Sequence, residues 1–181
     1  MATNGVNGHK KPHVVSLGFP EWIGKDYLTK FKETYDFSVL EATNREETIE
    51  RLPQHIKENG PVDAFIVRMG TPPFEPFDEA LLKDLAGSCK IIASASAGFN
   101  EFDVDWMAEN GIYFCNTIDA VAEATADMAV FLLLAILRNT TNGERSANVG
   151  SWRFGKAMTH PAKDPSGVTL GIVGMGTIGK V

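Results

Sequence analysis

The sequence predicts an α/β fold, a doubly wound parallel sheet. Two observations predict it. Between His13 and Asn116, short apolar runs alternate with helical patterns, giving five strands with helical crossovers in about a hundred residues. The runs are also apolar throughout instead of at every second residue, the pattern of strands covered on both faces.

The elements follow in order. His13 to Leu17 is a short apolar strand, and Lys25 to Thr34 carries Tyr27, Leu28 and Phe31 at helical spacing. Phe37 to Leu40 is a second strand. A helix opens at Thr43 with a capping box, Thr43 to Glu46, and holds Pro53 as a candidate kink. Asp63 to Val67 is a third strand, followed by a Pro-rich turn over residues 71–76. Phe77 to Leu85 reads as a helix with Leu81, Leu82 and Leu85 on one face. Lys90 to Ala93 is a fourth strand. Asp103 to Glu109 is a short helix ending at Asn110-Gly111, a helix-stop signal. Ile112 to Cys115 is the fifth strand.

Asp119 to Arg138 is a long helix without Gly or Pro. Asp119, Glu123 and Asp127 crowd its first half, where the helix dipole favours acids. Its second half is apolar all round and needs cover on more than one side, from a second subunit or a further domain. Residues 139–167 read as mostly exposed, with a helix over Thr141 to Asn148. Val168 to Val173 is a last apolar strand.

Bulk composition narrows the function. The 181 residues are 44% apolar and 22% charged, as in an ordinary globular protein. A net charge of −6 without a basic cluster argues against nucleic acid or an anionic membrane as partner. The longest apolar run, Met128 to Leu137, is about half the ~20 residues of a membrane span. Cys89 and Cys115 form no CxxC pair, which argues against a disulfide framework or a cysteine zinc site and fits a reducing compartment. Residues 1–12 read as a disordered tail with no secretory leader, so a cytoplasmic location is expected. Asn139-Thr140-Thr141 matches a glycosylation sequon and is read as chance.

Three segments carry candidate chemistry. After the last strand comes Gly174-x-Gly176-x-x-Gly179, a dinucleotide-binding fingerprint. Its first glycine allows the tight turn, its second the approach of a pyrophosphate, its third the packing of a helix on the strand. Gly174 to Lys180 also follows a P-loop pattern, but Val181 stands where that loop needs a hydroxyl, so the dinucleotide reading leads. The chain ends two residues past Gly179, and the ribose-binding acid expected roughly 20 residues on lies outside it.

The second segment, Ser94 to Asp103, follows a strand at the sheet edge where α/β folds bind ligands. The Ala97 and Gly98 amides can bind a carboxylate. A tight turn that uses Gly98 for a positive φ is an equal reading. The third segment is Ala120 to Asp127, where Thr125 can face a cofactor or be a plain surface threonine. His9, His13, His55 and His160 lack partners at catalytic or metal spacing and read as surface residues, so no metal site is expected. Trp22, Trp106 and Trp152 read as packing residues.

In register, these segments resemble the D-isomer-specific 2-hydroxyacid dehydrogenase family. The resemblance runs from about His13 to the end. It rests on residues 97–103, 111–117 and 120–127, on Arg138-Asn139, on residues 150–152, and on the glycine run 171–179. It resembles fungal glyoxylate-reductase-like or hydroxyisocaproate-dehydrogenase-like members. Asn100 stands where Asp is common, and Ile118 where Pro usually follows Asn-Thr.

The resemblance implies a flavodoxin-like substrate domain over residues 13–116. It also implies a helix and the first strand of a truncated Rossmann domain over residues 117–181. Ala97 and Gly98 would hold the substrate carboxylate. Thr125, Gly174, Gly176, Thr177, Ile178 and Gly179 would contact NAD or NADP. The helix 119–138 would pack across a homodimer. The implied reaction moves a hydride between NAD(P) and a small 2-hydroxy or 2-oxo acid. The family's catalytic Arg, Glu and His all lie C-terminal to the glycine loop, so no catalytic residue is assigned in this chain. It is expected to be inactive alone and to bind cofactor weakly or not at all. A non-catalytic dimerisation or interaction fragment is the alternative, and a truncated product without function the third reading.

Overall fold

The computed structural model describes residues 10–21, 23–153 and 161–181. The chain divides into two compact units, one ending at Thr117 and one beginning at Ile118. Trp22, His9 and His160 lie outside the described residues.

The first unit is a parallel five-stranded sheet. Its strands are β1 (His13–Leu17), β2 (Asp36–Leu40), β3 (Ala64–Val67), β4 (Ile91–Ser94) and β5 (Tyr113–Cys115), in spatial order β2-β1-β3-β4-β5. This is the flavodoxin-like order, with a topological switch point between β1 and β3. The connecting helices are α1 (Lys25–Thr34), α2 (Arg45–Asn59), α3 (Glu79–Leu82) with a 3-10 turn over Lys83–Leu85, and α4 (Val104–Glu109). The helix expected over residues 77–85 is therefore shorter, and its second half is the tighter 3-10 form.

Right-handed crossovers put α1 on one face of the sheet and α2, α3 and α4 on the other. The burial pattern agrees. Phe65, Val67 and Ile92 are buried with Leu52 of α2, Leu81 and Leu82 of α3, and Met107 of α4. On the opposite face Ala64, Ile66, Ile91 and Ala93 are only half-buried, and α1 buries no residue of its own. The expected cover on both faces is complete only on the α2–α4 side. Only β1, central and flanked by β2 and β3, is buried along its whole length.

Two local expectations are corrected. The cap of α2 lies one residue later than Thr43. Asn44 is the N-cap, its side chain accepting from the Glu47 amide at 2.9 Å, while the Glu47 carboxylate accepts from the Thr43 amide at 3.0 Å. Asn caps at least as well as Thr, so the residue next to the predicted one wins. The helix runs on through Pro53. The Arg45 guanidinium bonds the Asp78 carboxylate at 2.6 Å and the Pro76 carbonyl, joining the start of α2 to the cap of α3.

The second correction concerns the histidines. His13 is buried, and its Nδ1 donates to the Pro61 carbonyl at 3.1 Å. A carbonyl only accepts, so in neutral His13 the other nitrogen, Nε2, is an acceptor. It takes the Ser38 hydroxyl proton at 2.7 Å, and His55 Nε2 donates to the same Ser38 oxygen at 2.9 Å. The two rings stack 6.1 Å apart. Burial pushes the His55 pKa down, the neighbouring His13 adds to this, and Glu58 opposes it.

The second unit contains α5 (Ala122–Leu137) and α6 (Thr140–Asn148), which meet at a bend of 71°. Asn139 sits at the bend with φ +53°. The predicted helix began at Asp119. The regular helix begins three residues later, after a turn in which the Asp119 carbonyl accepts from the Ala122 amide. Among the described residues no single helix is long and apolar enough to cross a membrane. The strand expected over Val168 to Val173 is not formed: these residues pair with no other strand and are exposed. A strand needs a neighbour for its backbone groups, and this segment has no strand partner among the described residues.

Candidate functional site

The loop after β4, Ser94 to Asp103, is fastened at both ends. At its far end Phe102 is buried, with its ring 4.5 Å from Phe77 and 4.8 Å from Phe114. The backbone of Phe77 brackets it, donating to Glu101 O at 2.8 Å and accepting from the Asp103 amide at 3.0 Å. Asp103 then caps α4 by accepting from the Trp106 amide. At its near end the Ala95 amide donates to Val67 O of β3, and the Ser94 and Ser96 hydroxyls are 2.7 Å apart.

Between these anchors the carbonyls are occupied in turn. Ser96 O accepts from the Thr117 amide at 3.1 Å, and Ala97 O accepts from Asn116 Nδ2 at 2.9 Å. Gly98 O accepts from the Ser96 hydroxyl at 3.2 Å. In a trans peptide the N–H points away from the preceding carbonyl. Fixing Ser96 O and Ala97 O therefore turns the Ala97 and Gly98 amides to the opposite side. Both residues are exposed, and neither amide donates to a protein acceptor among the described hydrogen bonds. Two outward-turned amides without a protein acceptor, at the C-terminal edge of a parallel sheet, are donors that an anion can use.

The tight-turn reading of Gly98 loses its basis. Its φ is not in the left-handed region, and a Cβ built there would meet nothing within 4 Å. Nothing in the fold requires glycine at this position. Asn116, Thr117, Ser96 and Glu101, whose carboxylate accepts from the Ser96 hydroxyl at 3.3 Å, support the loop. Sequence reasoning did not single them out as support; the bonds of Asn116 and Thr117 reach the loop only after β5 has folded beside β4.

The glycine run lies in the second unit. Gly174 has φ +95°, and a side chain on Gly179 would collide with the Gly174 carbonyl. A 3-10 turn over Ile178–Lys180 follows. These two glycines serve the turn itself. Gly176 faces open space and has no such need, which leaves its backbone open to close approach by a ligand. The turn is formed, although the strand expected before it is not and only a 3-10 turn is present at its end. Thr177 and Ile178 are exposed on the turn. Thr125 is exposed on the first turn of α5, and its hydroxyl donates back to Val121 O at 2.7 Å. Among the described residues no group of three His, Cys, Asp or Glu side chains is placed to hold a metal ion.

Comparison with known proteins agrees with these features. The sequence profile of the catalytic domain of D-isomer specific 2-hydroxyacid dehydrogenases matches residues 21–171. A relative from Hormonema carpetanum, dehydrogenase efuE, is 54% identical over 92% of this chain and 41% of its own length. Glyoxylate reductase 1 of Saccharomyces cerevisiae is 34% identical over 94% of this chain and 50% of its own length. The solved apo structure of Rhodotorula graminis D-mandelate dehydrogenase superposes with a TM-score of 0.82 at 28% identity, covering 94% of this chain and 51% of that one. The chain thus spans about half the length of the relatives it matches.

Proposed function

The chain belongs to the D-isomer specific 2-hydroxyacid dehydrogenase family, and from that premise we propose that its first unit carries the carboxylate-binding site for a small 2-hydroxy or 2-oxo acid. The observation that carries this reading is the pair of oriented, unused amides at Ala97 and Gly98. They bind the substrate carboxylate as two donors held in place before it arrives, so little ordering is needed on binding. Asn116 and Thr117 keep the two peptide planes turned outward.

Gly174, Gly176, Thr177, Ile178 and Gly179, with Thr125 nearby in the motif order, are the residues that would hold NAD or NADP. When bound, that cofactor supplies or accepts the hydride at the carbon bearing the hydroxyl or keto group. The glycine turn offers backbone approach to a pyrophosphate. With the strand at 168–173 unformed, we expect cofactor binding by these residues alone to be weak or absent.

The 181-residue chain is proposed to be inactive alone. Proton transfer in this chemistry needs an acid–base group beside the reacting carbon. The described histidines, His13 and His55, are occupied with Ser38 and Pro61 at the start of β1, away from the C-terminal edge of the sheet. The test is NADH and NADPH oxidation by this chain with glyoxylate and with a branched 2-oxo acid. No turnover is expected, and turnover with either acid overturns the proposal.

A second reading is a non-catalytic interaction fragment that pairs with another copy through residues 119–138. It is favoured by the exposure of Met128, Val130, Phe131, Leu132, Leu134 and Ile136 on α5. Self-association without any binding of a 2-oxo acid would favour this second reading, and acid binding at the Ala97–Gly98 loop the first.

A further inference from the structure

The N-terminal edge of the sheet carries a cavity that the reading above does not use. The register pairs His13 with Asp36, and the Asp36 amide donates to Pro12 O at 3.0 Å. Residues 10–12 are thereby laid against the turn from α1 into β2. Lys11 fastens them there, its ammonium donating at 2.9 Å to the carbonyl of Lys32 in the last turn of α1. The result is a cavity of about 390 Å³ lined by Lys10, Lys11, Lys32, Tyr35, Asp36 and Phe37. Its size suits a small molecule. It opens where β1 and β2 begin, at the opposite edge of the sheet from Ala97 and Gly98.

Three lysines line this cavity in a chain whose net charge is −6, and Lys32 joins Lys10 and Lys11 only through folding. The ion pairs among the described residues join Arg45 to Asp78 and Arg51 to Glu47, so none neutralises these lysines or Asp36. An ammonium has three donors. Lys11 uses one of them, and the side chains of Lys10 and Lys32 donate to no acceptor among the described hydrogen bonds. The Lys10 ammonium rests near Gly60, and its flexible stem can turn it to the cavity. Lys32 Nζ stands 5.6 Å from the centroid of the Phe37 ring, which puts a cation and an aromatic face together in the wall. Packing fixes the rings: Phe31 lies 4.6 Å from Tyr35 and meets Phe37 edge-on at 5.8 Å. Asp36, exposed at the first position of β2, adds a carboxylate acceptor.

We propose that this cavity, where three lysines meet two aromatic rings and a carboxylate, is a second ligand site that takes a nucleoside monophosphate. The dianionic phosphate needs several cationic donors, which Lys10, Lys11 and Lys32 supply as point charges on flexible stems. The base needs a flat apolar surface, which Tyr35 and Phe37 supply. The ribose hydroxyls need an acceptor, and Asp36 is the carboxylate in the lining. Inorganic phosphate would leave the rings unused and meet Asp36 as a like charge. The phosphates of NADH are diesters and offer no dianionic end, so this site does not make the chain a tight binder of that cofactor. The site is independent of the carboxylate reading of the loop after β4.

The test is a ¹H–¹⁵N NMR titration of the 181-residue chain at fixed ionic strength with AMP, adenosine and inorganic phosphate. AMP is expected to shift the Tyr35, Asp36 and Phe37 amides saturably. It should bind about tenfold more tightly than adenosine or inorganic phosphate, as for one charge-assisted hydrogen bond or one stacked ring. Lys32→Gln should weaken AMP severalfold and remove most of its advantage over adenosine. The same spectra report Gly98 and Gly176, which separates this cavity from the loop after β4 and from the glycine turn. AMP shifts confined to Gly98 or Gly176, or no shifts at all, overturn the proposal. So does binding of inorganic phosphate or adenosine as tight as that of AMP, which would show that the lysines and the rings do not act on one ligand. The wild-type spectra decide the matter even if the variant folds poorly.

Discussion

Gly98 is a glycine that the backbone does not require. Its backbone is not in the left-handed region, and a Cβ there has open space. Gly98→Ala should therefore change stability by no more than about 0.5 kcal/mol, the range of ordinary surface changes. The added methyl stands beside the amide offered to the carboxylate, so 2-oxo acid binding should weaken severalfold. Thermal unfolding and a binding titration on the same variant check both halves. A large loss of stability would instead return Gly98 to the turn. The residue-scale reading was half legible in the sequence. Small residues after a strand marked the loop, but the bonds from Asn116 and Thr117 that turn its amides outward are long-range. His13 was misread for a related reason. Next to a polar tail it looked exposed, and only strand pairing shows that β1 is central.

His55 gives a pH-dependent prediction. Burial lowers its pKa in the folded chain, with His13 adding to the effect and Glu58 opposing it. The unfolded chain then takes up the proton first as pH falls, so the folded state is relatively favoured above the unfolded pKa. That stability is lost as pH drops from about 6.5 through the lower folded value. Urea unfolding between pH 7.5 and 5.5 should show wild type losing stability more steeply than His55→Gln. Parallel curves would contradict the assignment.

At the scale of elements, apolar runs bounded by turn residues located all five strands, because at least one face of each central strand packs into the core. The same signal failed at Val168 to Val173. An apolar run states that residues need cover, and whether a neighbouring strand supplies it is a separate matter. Helix α5 makes the same point differently. Its sequence is apolar all round, yet only Ala122 is buried, and Ile136 is 79% exposed. A helix with this much uncovered apolar surface is a strong candidate for association. We expect the chain to self-associate, and Leu132→Glu with Ile136→Glu to shift it towards monomer in sedimentation velocity without altering the near-UV signal of the first unit. A wild-type monomer at high concentration would count against pairing through residues 119–138.

At the scale of the whole molecule, the two units are proposed to carry different parts of one chemistry. The first has a complete sheet with the flavodoxin-like strand order and, held at both ends, the loop proposed to bind the carboxylate. The second has a glycine turn, an unformed strand and an uncovered helix. Substrate recognition should therefore survive in this chain where cofactor binding and turnover do not. Calorimetry with NADH should give little or no heat of binding, and a tight complex would show the second unit to be more capable than its geometry supports. The most direct test of the central claim is the ¹H–¹⁵N spectrum of the chain titrated with glyoxylate. The account predicts saturable shifts at the Ala97 and Gly98 amides, with smaller ones at Asn116. Shifts absent from this loop, or scattered evenly over the surface, would contradict it.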